Sequence, residues 1–254
     1  MSIIGVVSMK GGVGKTSVTA NLAAAMAKTL GPQRVSVIEL DPQNSLHLHF
    51  GVDDTQSAGV CRQSLDGGNW REIQLPSEFD VQCLPYGSAS EFERIGFEAL
   101  LSRDSNWIGE QIQAAGLDDD AVVFIDTPPG PSVYLKQVFS CADLVVIVVL
   151  ADAASYATIP AMESWLAEMS TLYPHTASLY LINQIDRTEL LNRDVVDLLN
   201  QRLEGKISPI GIHSDESVRE ALAFQQPVMA YAPHSQASHD LARISNWLID
   251  VLNQ

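Results

Sequence analysis

Residues 3–16 read IIGVVSMKGGVGKT, and this stretch decides the fold. An apolar run leads directly into a glycine-rich loop, and a helical pattern begins near Lys15. A strand, a glycine-rich turn and a helix in this order are typical of a phosphate-binding loop. The glycines let the backbone direct N–H groups at phosphate oxygens, and the helix N-terminus adds partial positive charge. We therefore expect residues 9–16 to bind a nucleoside phosphate.

The side chains of this loop have separate expected roles. Lys15 is expected to reach the β- and γ-phosphates, and the Thr16 hydroxyl to bind Mg²⁺. The general pattern GxxxxGK[ST] requires Gly where this chain has Met9, so the loop instead fits KGGxGK[ST], with a second lysine at Lys10. The predicted nucleotide contacts of the loop are Lys10, Gly11, Gly12, Val13, Gly14, Lys15, Thr16 and Ser17.

Short apolar runs alternate with longer helical patterns along the rest of the chain. The predicted strands are 3–8, 35–40, 121–126, 144–150 and 178–183, with weaker candidates at 81–86 and 206–212. The predicted helices are about 15–30, 104–116, 155–170, 188–203, 215–225 and 236–252. Continuous apolar runs indicate strands covered on both faces. The pattern predicts a doubly wound α/β fold, with a mainly parallel sheet between helix layers, in a single domain over 1–254.

Composition excludes several classes of protein. The chain has 15 Lys and Arg against 31 Asp and Glu, which gives a net charge of -16. This charge argues against nonspecific nucleic-acid binding and against docking on anionic lipid, and it favours basic partners.

The three cysteines include no CxxC pair, so we expect them to be small, buried apolar side chains of a protein in the reducing cytosol. The longest apolar run, 144–151, is too short to insert into a membrane. We expect a cytoplasmic protein that reaches the inner membrane or a cell pole only through partners.

Two carboxylates stand where predicted strands end. Asp41 lies in the segment ELDPQ at 39–43, and Asp126 ends the apolar run that precedes Thr127. Ligands of α/β sheets bind at the carboxyl ends of the strands, and Mg²⁺ prefers oxygen ligands. A turn-forming role is the alternative for each of these aspartates.

The loop, the ELDPQ segment and the DTPP segment that begins at Asp126 together resemble the MinD/ParA family of deviant-Walker ATPases, which includes the nitrogenase iron protein. The resemblance covers nearly the whole chain. It implies a P-loop NTPase fold of the SIMIBI class and a homodimer that encloses two Mg-ATP. It also implies that Lys10 crosses the dimer interface to the nucleotide held by the other subunit. A cation supplied by the partner would make charge stabilisation conditional on dimerisation.

The resemblance also implies roles for residues outside the loop. Asp41 would help orient the attacking water, so that the catalytic set is Lys10, Lys15 and Asp41. Asp126 would hold the magnesium shell through water, with Thr16 and Asp41 as the other metal-site residues. Glu39 stands where the family has Asp, which leaves its role open.

A base pocket is implied by the same resemblance. Asn183, at the end of the strand 178–183, would read the adenine edge, since an amide offers both a donor and an acceptor. Ile212 and His213 would cover the other face of the base. For Asn183 an ordinary asparagine at a strand end is the alternative, and for His213 taken alone the sequence favours a surface histidine. His47 and His49, two positions apart, do not predict a metal site.

Longer stretches indicate one branch of the family. Several short strings lie in the same order as in the BcsQ group of cellulose biosynthesis ATPases; they are HFGVD at 49–53, SLDGGNWR at 64–71, LPYG at 84–87, IHSDE at 212–216, QPV at 226–228 and NWL at 246–248. This resemblance implies a partnership with the bacterial cellulose synthase complex, a small BcsR-like companion subunit and a BcsE-like partner.

Other branches fit less well. Residues 127–130, which follow Asp126, contain none of the cysteines that iron proteins need there. Arg243 is the only Lys or Arg in the predicted terminal helix 236–252, which we expect to pack on the core rather than on a membrane. Residues 181–254 carry no cationic patch for DNA. Two rival functions stay open, namely a ParA- or MinD-like ATPase that positions DNA or cargo, and a scaffold that binds ATP without hydrolysing it.

Overall fold

The computed structural model describes residues 1–54 and 58–253. Within these ranges the strands are β1 (Ser2–Val7), β2 (Val35–Glu39), β3 (Leu75–Pro76), β4 (Val81–Leu84), β5 (Val122–Asp126), β6 (Leu144–Leu150) and β7 (Ala177–Asn183). The helices are α1 (Lys15–Leu30), α2 (Gly59–Leu65), α3 (Glu91–Arg103), α4 (Trp107–Ala114), α5 (Val133–Cys141), α6 (Ala153–Leu172), α7 (Leu190–Arg202), α8 (Glu216–Ala223), α9 (Val228–Tyr231) and α10 (Gln236–Leu252). Two 3₁₀ helices cover His47–Phe50 and Trp70–Ile73.

The strands form one sheet in the order β3-β4-β2-β5-β1-β6-β7. Every pairing is parallel except that of the two-residue edge strand β3 with β4. Alternate residues of β5 face opposite sides, so that Val123 and Ile125 join one core cluster and Phe124 joins the other. Helices α2–α7 contribute to the first cluster, and α1, α8, α9 and α10 to the second. The predicted doubly wound α/β fold is confirmed.

The central strands bring the chemically important positions to one edge of the sheet. In the register of β5 with its neighbours, Asp126 lies beside Val6 of β1 on one side and Glu39 of β2 on the other. The glycine-rich loop follows β1 directly, because α1 begins at Lys15. Asn183 ends β7 at the same edge, paired with Leu150. All these strand ends are carboxyl ends, where α/β folds bind ligands.

Some predicted elements differ from those observed. The predicted strand 206–212 is wrong, since this segment makes only isolated bridges, Tyr180 with Ile207 and Ile185 with His213. Pro209 lies in its middle and has no N–H to donate to a ladder. The predicted helix 104–116 shortens to α4. Helix α3 had not been predicted, although Ser90 and Glu93 form a capping box at its start.

The terminal helix packs against the protein itself. Leu241, Ile244 and Leu248 of α10 are buried in the cluster that also contains the buried face of α1. This confirms the expected core-packing role of the helix. None of the helices in the described part of the chain is both long and apolar enough to cross a membrane. Cys61 and Cys83 are buried, as expected of small apolar side chains.

Candidate functional site

The glycine-rich loop has a backbone that only glycine adopts readily. Gly12 and Gly14 have φ angles of 78° and 80°, in the left-handed region. A Cβ added to Gly14 would lie 2.6 Å from Asn183 Nδ2, whereas one added to Gly12 would meet nothing within 4 Å. Gly14 also stands at the N-cap of α1 and provides no side-chain cap. The first N–H groups of α1 therefore have no capping side chain in front of them, as an anion site requires.

Asp126 is the centre of a buried hydrogen-bond network. Its Oδ1 lies 2.7 Å from Lys15 Nζ, and its Oδ2 accepts a 2.8 Å hydrogen bond from Thr16 Oγ1. Thr19 Oγ1 lies 3.1 Å from Oδ1. The side chain of Asp126 is fully buried and that of Lys15 is 6% exposed. The network joins the first turns of α1 to the end of β5.

Asp41 lies just beyond β2, next to this network. Its Oδ1 accepts a 3.0 Å hydrogen bond from Gln43 N, which is the turn-forming contact expected as the alternative. Its side chain is nevertheless nearly buried, at 9% exposure. Burial raises the pKa of Asp41, while Gln43 N and the charge of Lys15 lower it. The structure thus places Asp41 within electrostatic reach of Lys15 and Asp126.

Glu39 faces a different set of partners. Its Oε1 accepts hydrogen bonds from Ser45 N and from Leu46 N, the latter at 2.8 Å. Its Oε2 lies 3.6 Å from His47 Nδ1. The side chain is 1% exposed, and burial raises its pKa. Glu39 therefore holds backbone groups of the following loop.

A pocket of about 190 Å³ opens beside the loop. It brings together five residues expected to contact nucleotide, which are Gly14, Ser17, Asn183, Ile212 and His213. Asn183 Nδ2 donates a 2.8 Å hydrogen bond to the carbonyl oxygen of Val13. This amide therefore ties β7 to the phosphate loop, and one of its two N–H donors is already engaged.

His213 is held in this pocket by a residue of α10. Its backbone N–H donates to Asp240 Oδ2 at 3.0 Å, and its Nδ1 lies 2.7 Å from the same oxygen. Asp240 is 1% exposed and also accepts from Gln236 Nε2 at 2.9 Å. The side chain of His213 is 21% exposed, so the surface histidine favoured by the sequence describes it only in part. The base-stacking role of Ile212 and His213 stays a prediction.

Lys10 lies on the outer side of the loop and is partly exposed. Its Nζ is 3.9 Å from Asp152 Oδ1, which is itself the N-cap of α6. At 35% exposure the lysine remains accessible to a second molecule. Its expected contact with a partner's nucleotide stays a prediction.

His47 and His49 lie in different surroundings. Among the described residues, no group of three or more His, Cys, Asp or Glu side chains could hold a metal ion. His47 lies between Glu39 and Asp54, and its Nε2 is 3.5 Å from Asp54 Oδ1. His49 is 3% exposed, and burial lowers its pKa to about 4.

Two residues of the site had not been predicted from the sequence. Thr19 could have been found, because it follows Lys15 by four positions and Thr16 by three, on the same face of α1. Asp240 could not, since it lies 27 positions from His213 and nothing local marks it.

The residues present fit a magnesium–nucleoside triphosphate. Thr16 and Asp126 offer a hydroxyl and a carboxylate oxygen that are 2.8 Å apart, and Mg²⁺ usually takes few protein oxygens and completes its shell with phosphate and water. The glycine backbone, the start of α1 and Lys15 supply the groups that bind phosphate. The adjoining pocket has room for a planar ring. The site can thus bind a phosphorylated nucleotide, with a carboxylate, Asp41, nearby.

Comparison with known proteins agrees with this geometry. The family model for the cellulose biosynthesis protein BcsQ matches residues 1–249. The chain is 30% identical over 250 residues to BcsQ of Salmonella typhimurium, covering 98% of this chain and 94% of the relative. It is 26% identical over 254 residues to a ParA family protein of Chlamydia pneumoniae, covering 99% of each. The septum site-determining protein MinD of Pyrococcus horikoshii, solved with Mg-ADP, superimposes with a TM-score of 0.76 at 22% identity, over 99% of this chain and 97% of that one. At that identity the likeness concerns the fold.

Proposed function

Because the chain belongs to the BcsQ family of cellulose biosynthesis proteins, we propose that it is a Mg-ATP-dependent ATPase switch of the bacterial cellulose synthase complex. The main support for the proposal is that Lys15 and Thr16, at the end of the glycine-rich loop, both contact the carboxylate of Asp126. The three groups are those a P-loop ATPase uses to hold phosphate and magnesium.

Lys15 is suited to share its charge between the protein and a nucleotide. Its ammonium group carries three N–H donors, and Asp126 takes one of them at 2.7 Å, which leaves donors for phosphate oxygens. Bound magnesium would supply charge neutralisation at the phosphates, and Thr16, Asp126 and Asp41 are the residues that would hold it and its waters. MinD of Pyrococcus horikoshii, which shares the fold, was solved with Mg-ADP.

Hydrolysis is assigned to a small set of side chains. Asp41 orients the attacking water, and Lys15 together with Lys10 of the second subunit stabilises charge on the transferred phosphoryl group. Since one of these cations comes from the other molecule, two chains must enclose two Mg-ATP for turnover. Phosphate loops act by positioning and electrostatics rather than by covalent catalysis, and the slow hydrolysis that we expect suits a timer better than a metabolic enzyme.

We assign the adenine base of ATP to the pocket beside the glycine-rich loop. Asn183 reads the edge of adenine, and Ile212 and His213 cover one face of the ring. The pocket supports this assignment because all three residues line it together with Gly14 and Ser17. One ATPase domain over residues 1–254 is proposed, since both helix layers cover a single sheet.

The cellular role is assigned from the family. We place the protein in the assembly, localisation or regulation of the cellulose synthase complex, on the cytoplasmic side of the inner membrane, with a small BcsR-like protein and a BcsE-like protein as partners. A net charge of -16 favours partners that present basic surfaces.

Phosphate release from Mg-ATP by the purified protein tests the proposal. We expect slow release that rises more than linearly with protein concentration, and loss of release in Asp41→Ala with ATP binding retained. Binding without release in the wild-type protein would favour an ATP-bound scaffold instead. Salt-sensitive DNA binding by the ATP-bound protein would favour a DNA-positioning ATPase.

A further inference from the structure

The loop that carries Asp41 is closed around the side chain of Glu39. Its first residue is fixed by the sheet, because Leu40 N donates a 2.8 Å hydrogen bond to the carbonyl oxygen of Asp126. Its far end is fixed by Glu39 Oε1, which accepts from Ser45 N and from Leu46 N. Residues 40–46 therefore begin at a hydrogen bond to β5 and end at the side chain of Glu39 in β2.

Asp41 takes part in the closure from inside the loop. Its Oδ1 accepts from Gln43 N, and its carbonyl oxygen accepts from Asn44 N, each at 3.0 Å. Asn44 has a φ angle of 48°, in the left-handed region, so this turn has a defined and uncommon shape. The direction of the Asp41 carboxylate is thus set by a turn whose far end rests on Glu39.

A second layer of contacts holds Glu39 and the turn together. His47 lies between two carboxylates, 3.6 Å from Glu39 Oε2 and 3.5 Å from Asp54 Oδ1. Asp54 Oδ2 accepts from Asn44 Nδ2 at 2.5 Å, and Asn44 Oδ1 accepts from Gly87 N at 3.0 Å. The turn is therefore braced on the side away from Asp126 as well.

We propose that Glu39 is a positioning residue that holds the loop 40–46, and with it Asp41, in the geometry needed for hydrolysis. The inference rests on the proposed function and assigns a role to the residue that the sequence left open. Glu39 is 1% exposed, and its backbone is paired beside Asp126 in the sheet register, so its side chain projects from a fixed position on the sheet. Leu46 N is buried, so water is not an alternative partner for it, and the oxygen that accepts from Leu46 N and from Ser45 N fixes this end of the loop.

Three variants of β2 distinguish a positioning role of Glu39 from a general loss of protein stability. Glu39→Ala removes the acceptor, and Glu39→Gln keeps an oxygen that can accept from both N–H groups. Ser36→Ala is the control, since Ser36 is also buried on β2 and its hydroxyl has no hydrogen-bond partner among the described residues. Urea unfolding of each variant shows that it is folded under the assay conditions.

Amide hydrogen exchange of Ser45 and Leu46, followed by NMR without nucleotide, measures directly how firmly this end of the loop is held. We expect exchange at least tenfold faster in Glu39→Ala, and within threefold of wild type in Glu39→Gln and Ser36→Ala. In phosphate-release assays we expect kcat at least tenfold lower in Glu39→Ala, with Kd for Mg-ATP within threefold of wild type and kcat largely restored in Glu39→Gln.

The two readouts separate the inference from the proposed function. Unchanged exchange or unchanged kcat in a folded Glu39→Ala protein overturns the positioning role, as does a Glu39→Gln protein that behaves like Glu39→Ala in both assays. A wild-type protein that binds Mg-ATP but releases no phosphate overturns the proposed function, and the exchange rates alone then decide whether Glu39 holds the loop.

Discussion

Lys15 Nζ lies 2.7 Å from Asp126 Oδ1, and the two side chains are almost completely buried. The pair joins the first turn of α1 to the end of β5 across 111 positions of the chain. Because Thr16 and Thr19 also contact this carboxylate, the phosphate loop is held by the same group that the proposed function assigns to magnesium. Nucleotide binding and stability of the fold are therefore coupled at one residue.

Replacing both partners of this pair should cost less stability than the sum of the losses from Lys15→Ala and Asp126→Asn alone. Lys15→Ala leaves Asp126 buried without its cation, which should cost about 3–5 kcal/mol in the free energy of unfolding. In Lys15→Ala/Asp126→Asn the uncompensated charge is gone, so the loss should be at least about 2 kcal/mol smaller than the sum of the single losses. Urea unfolding without nucleotide measures all four proteins, and additive losses would contradict the coupling.

Lys15 should also be required for binding Mg-ATP. We expect Lys15→Ala to weaken binding at least 100-fold, measured by calorimetry at a temperature where the variant is folded. Lys28→Ala is the matched control, because Lys28 lies on the same helix and is exposed. Equal affinities of the two variants would mean that the nucleotide does not lie on this loop.

Lys10 should matter for dimerisation rather than for binding by one chain. We expect Lys10→Ala to bind Mg-ATP within threefold of wild type but to remain monomeric in light scattering where wild type forms dimers. Lys136→Ala, which alters an exposed lysine on α5, should dimerise normally. Wild-type dimerisation that is indifferent to Mg-ATP would rule out the enclosed-nucleotide arrangement.

Two glycines of the loop should respond differently to alanine. At Gly12 the cost comes only from the left-handed backbone, about 1–2 kcal/mol, since an added Cβ has open space. Gly14→Ala adds a collision with the Asn183 amide at 2.6 Å. We expect Gly14→Ala to lose more stability in urea unfolding than Gly12→Ala and to bind Mg-ATP more weakly. A larger loss of stability in Gly12→Ala than in Gly14→Ala would show that the Asn183 side chain moves away from the added methyl group without destabilising the fold.

Acid should destabilise the fold through His49. Burial lowers its pKa from 6.5 to about 4, so between these values the unfolded chain binds the proton and the folded chain does not. Stability from this group is complete above pH 6.5 and decreases as the pH falls toward 4, by about 2 kcal/mol between pH 8 and pH 5. Glu39 and His47 have raised pKa values, so their protonation stabilises the folded state as the pH falls. The contribution of His49 must therefore be measured by comparison with a variant that lacks only this histidine.

The variant His49→Gln provides that comparison. Its free energy of unfolding should vary less with pH than that of wild type, by the same amount of about 2 kcal/mol between pH 8 and pH 5. His234→Gln, at an exposed histidine, is the matched control. Parallel curves for wild type and His49→Gln would show that His49 titrates normally in the folded protein.

The local sequence alone was sufficient to predict the strand, loop and helix that form the first part of the site. The glycine spacing and the apolar run before it predicted β1, the loop and α1, because turn geometry and helix initiation depend on residues only a few positions apart. The carboxyl ends of β2 and β5 were recognisable for the same reason. Helix α3 was equally accessible, since the capping box of Ser90 and Glu93 is a local signal, whereas Pro209 should have excluded the strand predicted at 206–212.

Only the tertiary structure decided which polar groups meet. The order of strands in the sheet places Asp126 between β1 and β2, and no local pattern encodes that order. The contact of Asp240 with His213 and the closure of the loop 40–46 around Glu39 depend on which elements pack together. Such contacts form because a buried carboxylate must find donors when the core excludes water, and packing determines which donors are within reach.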